Sequence, residues 1–375
     1  MDLSKVYYTD FRSKNGITMP QKLKKLMYKA GIDKLDLKNK FVAIKIHFGE
    51  MGNLAFIRPN YAKAVASVIE ELGGKPFLTD CNTLYPGSRK NAIEHLYTAW
   101  ENGFSPLSAG CPVIIADGLK GTDEVEVPVK NGEYVKNAKI GHAIMDADVY
   151  ISLSHFKGHE NVGFGGAVKN TGMGCGSRAG KMEQHNSGKP QVFADRCKGC
   201  MLCIKQCAHG AISYDENRIA SIDVNKCVGC GRCIGGCNFD AIENIDYSAN
   251  AELNRKMAEY AKAVVDGRPQ FHINMVMDIS PNCDCHAEND APILPDIGMF
   301  ISEDMVALDQ ACADICLKQQ PLPHSQLSDN MAKADFVDRH DHFCNSSPNS
   351  EWESCLEHGE KIGLGSRKYE IIEMK

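Results

Sequence analysis

The sequence predicts an α/β protein with a mainly parallel sheet and flanking helices, interrupted by a small cysteine-rich unit. Three observations carry that reading. Short apolar runs rich in β-branched residues alternate with stretches of helical period, as βαβ units do. The alternation resumes after residue 250, beyond the cysteines, so the cysteine-rich segment reads as an insertion. The segment is also a gapless duplication: "DRCKGCMLCIKQCAHGAI" (Asp195–Ile212) aligns with "NKCVGCGRCIGGCNFDAI" (Asn225–Ile242) at an offset of thirty residues.

The strand candidates are 41–47, 75–80, 111–117, 148–154 and 271–280, each short, apolar and suited to burial on both faces. Helical patterns fall at 21–30, 59–72, 89–102, 136–147, 251–265 and 303–315. "NYAKAVASVIEELGG" is the clearest, with Pro59 ahead of it, apolar spacing of three and four, and a Gly-Gly stop. "EVEVPVKNGEYVK" predicts a hairpin turning at Asn131-Gly132. Polar flanks at 187–190 and 247–250 divide the chain into an α/β part (1–187), the inserted unit (188–246) and the rest of the α/β domain (247–375).

At 375 residues the chain has material for two or three domains. With 43% hydrophobic and 24% charged residues it has the composition of a soluble globular protein. The net charge of −6 argues against a nucleic-acid partner, which needs a basic face. "MDLSKVYYTDFRSKNG" has no apolar signal region, and no apolar run approaches the ~18–20 residues of a membrane span. A cytoplasmic protein without a membrane partner is the expectation. In that setting seventeen cysteines point to metal or redox chemistry rather than disulfides.

Eight of them are specific. Cys197, Cys200, Cys203 and Cys207 follow C-x2-C-x2-C-x3-C, and Cys227, Cys230, Cys233 and Cys237 repeat it. A cubane needs four thiolates on one small body. One loop supplies three, and in two-cluster chains the fourth comes from the other motif. This assigns Cys197, Cys200, Cys203 and Cys237 to one [4Fe–4S] cluster, and Cys227, Cys230, Cys233 and Cys207 to a second. Structural zinc does not account for two duplicated quadruplets. The unit resembles the bacterial two-cluster ferredoxin domain, except that Ala208 and Asn238 stand where a proline usually follows the fourth cysteine.

Ligands of open α/β sheets sit beyond the carboxyl ends of the strands. Those ends here carry His47, Asp80 with Cys81, His155, and Cys283 with Cys285 and His286. Thiolates next to an imidazole suit a transition metal, so Cys283, Cys285 and His286 are candidate ligands for an additional ion. Cys312 and Cys316 keep helix-core spacing and read as packing, and "HDHFC" (340–344) reads as a polar loop. Cys175, Cys344 and Cys355 have no assignment. "HFKGHENVGFGGAVKN" (155–170) reads as a glycine-rich loop. It fails the P-loop pattern, because the first glycine is replaced by Cys175, and the dinucleotide pattern, because Val168 stands where the third glycine belongs. It does gather His155, His159 and Lys169, with His185 following, as candidate acids, bases or ligands.

"SHFKGHENVGFGGAVKNTGMGCGSRAGKMEQH", "PNCDCHAENDAPILPDIGMFISEDMVALDQA" and the closing "EHGEKIGLGSRKYEII", together with the cysteine unit, resemble the DUF362 iron–sulfur proteins. That resemblance implies an α/β architecture with two [4Fe–4S] clusters and no particular reaction. Over about thirty residues, the histidine, Gly-Gly-x-x-Lys-Asn and later histidine are also similar to the nickel-pincer lactate racemases. There the resemblance implies Lys169 as attachment lysine, with His155 or His159 and His185 as metal ligands. The leading expectation is an iron–sulfur oxidoreductase whose clusters relay electrons between a redox partner protein and a small-molecule substrate or metal at the strand ends. The alternatives are an electron carrier without catalysis of its own and a redox-neutral isomerase or racemase.

Overall fold

A computed structural model describes residues 3–374 apart from 14, 15, 85, 86, 186–188, 228, 230, 231, 236, 240 and 245–249. The first strands are β1 (Ser4–Asp10), β2 (Phe41–Lys45), β3 (Lys75–Asp80) and β4 (Val113–Ile115); β5 (Glu124–Pro128) and β6 (Asn137–Gly141) pair with each other. Next come β7 (Val149–His155) and a tight antiparallel pair, β8 (Lys157–His159) with β9 (Gly163–Gly165). The duplicated segment supplies β10 (Pro190–Val192), β11 (Ile212–Tyr214), β12 (Ala220–Ile222) and β13 (Ile242–Asn244). β14 (Gln270–Val276), β15 (Gly298–Ser302) and β16 (Tyr369–Glu373) follow.

Eight of these form one sheet in the order β16-β1-β15-β14-β7-β2-β3-β4. β15 is antiparallel to both neighbours; β16 pairs parallel with β1, and β14-β7-β2-β3-β4 is a parallel run. The α/β class with a mainly parallel sheet is thus as the sequence predicts, and the five predicted strands are that parallel run. β7 precedes the cysteine-rich segment and β14 follows it, yet they are neighbours. The expected boundaries at 187/188 and 246/247 lie outside the described residues.

Alternation along the central strands separates two apolar layers. Val149, Ile151 and Leu153 of β7 and Phe271, Ile273 and Met275 of β14 pack with Leu26 and Val65 from the helices Met19–Lys29 and Pro59–Glu71. Tyr150 and Val276 face the other way, toward Met257, Val264 and Val306 on the helices Asn250–Val265 and Met305–Cys316. Cys312 and Cys316 are buried in that second layer, as helix-core packing requires.

Three local expectations are corrected. The helix expected at 136–147 is β6 followed by a short helix, His142–Asp146, because burying Ala138 and Ile140 against β5 outweighs helical spacing. The hairpin second strand begins only at Asn137, because the N–H groups of Glu133, Tyr134 and Val135 donate to the Glu259 carboxylate instead of a ladder. The segment 155–170 is the end of β7, the β8–β9 pair and the first turn of a helix, Ala167–Cys175, rather than a continuous loop. Asp309 starts that helix from afar, its carboxylate accepting the N–H groups of Ala167 (2.7 Å) and Val168 (2.9 Å). Gly166 permits this: a Cβ there would lie 2.4 Å from Asp309 Oδ1.

The duplicated segment folds as its repeat suggests. β10 and the helix Leu202–Gln206 recur thirty residues on as β12 and the helix Arg232–Gly235, and β11 recurs as β13. The pairings cross between repeats. Pro190↔Asn244 in β10–β13 becomes Ala220↔Tyr214 in β12–β11 when each partner is shifted by thirty in opposite senses. The two halves are therefore related by an internal twofold in register, with the two helices packed against each other.

Candidate functional site at the strand ends

The parallel strands end on one edge and deliver ionisable groups to it. Lys45, last in β2, meets Asp80, last in β3, with Nζ–Oδ1 at 2.9 Å and both side chains buried. Lys45 also donates to Asn170 Oδ1 at 2.8 Å, and Asn170 Nδ2 returns to the carbonyls of Lys45 and Leu153. The Ala167–Cys175 helix is thereby fixed to the ends of β2 and β7. Arg89 joins from the far side, with Nε 2.9 Å from Glu50 Oε2. Burial works to raise the Asp80 carboxyl, but Lys45 first and then His95, His47 and Lys181 together outweigh it and hold Asp80 below the usual carboxylate range. Removing one member of so buried a pair costs about 3–5 kcal/mol.

Next to this network lies the more reactive group. Lys169, in the first turn of its helix, points Nζ at Cys283 Sγ, 3.6 Å away. Lys157 of β8 approaches across Gly165, where a Cβ would stand 3.3 Å from Lys157 Nζ and 3.4 Å from Lys169 Cδ. His159 accepts the N–H of Asn161 at Nδ1 (3.1 Å), which leaves its other nitrogen for the Cys283 sulfur. A hydrogen bond from the Cys285 thiol, then the Lys157 and Lys169 charges and the His159 ring, hold the Cys283 thiol well below the ordinary range. The same coupling drives Cys285 well above it. His185, at the end of the helix Arg178–His185, faces Lys169 and His159. Burial and then the Lys169 charge push it down to about 3, so it is neutral near pH 7.

Glu160 completes the group. Its Oε1 lies 3.2 Å from His286 Nε2, and its Oε2 accepts the Cys283 N–H at 3.2 Å. Glu160, Cys285 and His286 can each present a ligand atom with all three atoms within 4.8 Å of one another. This group has Glu160 in the place the sequence reading gave to Cys283, whose sulfur meets Lys169, His159 and the Cys285 thiol.

Other candidates move too. His155 donates from Nδ1 to Asp284 (2.9 Å) and from Nε2 to the Met277 carbonyl (2.7 Å). Burial opposes its charge, but the Asp284 carboxylate outweighs burial and raises the imidazole. With both nitrogens hydrogen-bonded, His155 clamps β7 to the loop after β14. His47 does sit at the edge, accepting the Gly49 N–H at Nδ1 (3.0 Å); burial and Arg89 push it down to about 3. Cys81 turns away, its thiol donating to the Cys175 carbonyl at 3.3 Å. Lys45, Arg89, Glu50, Glu160, Asp284 and Asp309 were not singled out as site residues from sequence. Only Glu160 and Asp284 carried a local signal, each lying directly beside a candidate ligand.

In the cysteine-rich unit, Cys197, Cys200, Cys203 and Cys237 line one cavity with Tyr214 and Phe239; it encloses about 320 Å³ of empty space, part of it open to solvent. The first three come from one repeat and the fourth from the other. Cys207 and Cys233 join the same apolar cluster, Cys227 is half-buried, and Cys230 lies outside the described residues. Backbone N–H groups point at sulfur in both halves, Ala211 to Cys207 (3.3 Å) and Ala241 to Cys237 (3.4 Å). Every described cysteine is a free thiol. Leu84, after β3, and Met182 pack into the cluster of Cys203 and Cys237. Met182 shares its helix with His185, so that one helix packs into the apolar cluster of Cys203 and Cys237 and also reaches the Lys169–Cys283 group.

Among the described residues no helix is long and apolar enough to cross a membrane. In sequence the chain is 30% identical over 130 residues to Thylakoid-associated protein sll1697 of Synechocystis sp., an alignment covering 33% of this chain and 34% of that protein. The chain thus spans about a third of the length of that curated relative. Among solved structures it is similar to a structural-genomics protein from Thermotoga maritima, with 12% identity, TM-score 0.37 and coverage of 70% of this chain and 52% of that one. It is also similar to the lactate racemase apoprotein of Thermoanaerobacterium thermosaccharolyticum, with 13% identity, TM-score 0.35 and coverage of 71% and 46%. The profile of the family described as "Domain of unknown function (DUF362)" matches residues 42–314. The chain belongs to the DUF362 family.

Proposed function

We propose that this protein is a cytoplasmic iron–sulfur oxidoreductase in which a two-cluster, ferredoxin-like insert exchanges electrons with a small-molecule substrate held at the strand ends. One observation carries the reading: four thiols from both repeats, Cys197, Cys200, Cys203 and Cys237, converge on one cavity, and Leu84 and Met182 of the α/β part pack into the apolar cluster that holds Cys203 and Cys237. That donor set fits a [4Fe–4S] cluster, and the second set, Cys227, Cys230, Cys233 and Cys207, follows from the twofold repeat. When bound, such clusters supply one-electron transfer. The N–H groups of Ala211 and Ala241 would stabilise added negative charge on the Cys207 and Cys237 sulfurs. Cys200 is the exposed thiol of its set, so a redox partner protein reaches that side from solvent.

At the strand ends the chain's own groups divide the work. Lys157 and Lys169 form a cationic pair that favours an anionic substrate group. The Cys283 thiolate meets Lys169 and His159, and His159, neutral near pH 7, can accept a proton there, whereas His185, pushed down to about 3, stays neutral. Reductive titration of anaerobically reconstituted protein under EPR detection tests the proposal. About two one-electron reductions per chain are expected; a protein that takes up no electrons and shows no spin signal contradicts it.

A further inference from the structure

The sequence placed a possible metal on Cys283, Cys285 and His286, and the geometry changes both the ligand set and its meaning. From Glu160, Cys285 and His286 we infer a mononuclear site for a divalent ion of the zinc or ferrous class, with an open coordination position, beside the Cys283 thiol. The inference rests on the oxidoreductase reading, since it names the centre at which the substrate would be bound.

Three observations support it. The carboxylate oxygen, thiol sulfur and imidazole nitrogen lie within 4.8 Å of one another, close enough for one ion to draw all three in with small side-chain movements. A mixed oxygen, nitrogen and sulfur set suits a borderline ion, and three protein ligands with a free fourth position is the pattern of catalytic rather than structural zinc.

The ligands are also held in place without an ion. The His286 N–H donates to the Cys283 carbonyl at 3.1 Å, Asn53 Nδ2 donates to the His286 carbonyl at 2.9 Å, and the Glu50 N–H donates to the Asp284 carbonyl at 2.9 Å. Glu160 is tied to the same loop through the Cys283 N–H. The loop after β14 and the tip of the β8–β9 pair are therefore already joined at the point where the ion would sit.

Finally, His286 has a carboxylate on each side, Glu160 Oε1 3.2 Å from Nε2 and the exposed Glu288 3.7 Å from Nδ1. A carboxylate behind a ligating imidazole is the usual outer partner of such a site.

The test is equilibrium dialysis of cluster-loaded protein against zinc, with zinc and iron counted in the same sample. The expected result is about one zinc per chain beyond the cluster iron, lost in Glu160→Gln, Cys285→Ser and His286→Ala but kept in Cys283→Ser, with iron unchanged throughout. Zinc retained in His286→Ala and Glu160→Gln overturns the inference, as does zinc lost in Cys283→Ser as fully as in Cys285→Ser. Missing iron would report failure of the cluster reading, and missing zinc with intact iron would report failure of this one.

Discussion

The Lys169 ammonium lies 3.6 Å from the Cys283 sulfur, although 114 residues separate them in the chain. The first turn of the Ala167–Cys175 helix and the loop after β14 meet to make this contact, and with Lys157 it provides the cationic setting that a thiolate needs. In protein carrying its clusters, Lys169→Met should move the pH at which iodoacetamide alkylation of Cys283 reaches half its full rate upward by about one unit, since the variant removes one of the charges that favour the thiolate. Residue-resolved mass spectrometry reads the rate. An unchanged midpoint would mean that Lys157 and His159 alone set the thiol.

The crossed assignment of the cysteines makes a sharper prediction. Cys237→Ser should resemble Cys203→Ser, each lowering iron from about eight to about four per chain and leaving the same residual spin signal. Cys207→Ser should match Cys233→Ser instead. If Cys237→Ser matched Cys233→Ser, each repeat would be holding its own cluster and the interlocked assignment would be wrong.

Asp309 holds the Lys169 helix by its first turn and also accepts from Asn274 at 2.7 Å. Asp309→Ala leaves two buried N–H groups and one amide without their acceptor, so unfolding free energy should fall by about 2–3 kcal/mol. Asp309→Asn, which keeps an accepting oxygen, should lose less. Denaturant titration of the two variants checks the order.

His272 gives a pH signature. The Ser152 hydroxyl donates to its Nδ1 at 2.9 Å, and its Nε2 donates to Gln270 Oε1 at 2.8 Å, so the buried ring is satisfied only when neutral. Burial pushes it down to about 3 from an ordinary 6.5. The unfolded chain therefore binds this proton first. The stabilisation is complete above about pH 6.5 and is lost as the pH falls toward 3. Between pH 7.5 and 5.5, His272→Gln should flatten the loss of stability by up to about 1.4 kcal/mol per pH unit below 6.5. His47 and His185, also pushed down to about 3, keep their own shares. Urea titrations across that range provide the measurement, and a slope identical to wild type would rule out the burial argument for His272.

What the sequence made legible follows the range of the forces involved. The parallel run from β14 to β4 showed because strands buried on both faces read as unbroken apolar runs. β1 and β16 escaped notice because they are only partly buried, with Lys5 and Glu370 facing out. The cysteine repeat was visible because cluster spacing is local. His155 looked like a site residue from its strand end, but its role was fixed by Asp284, 129 positions away. Glu160 was passed over beside the more conspicuous histidines, and no local pattern connects Asp309 with the helix it caps, 142 residues earlier.

The most direct test of the central claim is an iron and acid-labile sulfide count on anaerobically reconstituted protein. Two cubanes require about eight irons and about eight sulfides per chain, with a brown colour that bleaches on reduction. A colourless protein that retains zinc on these cysteines, or no more than about two irons, would contradict the account.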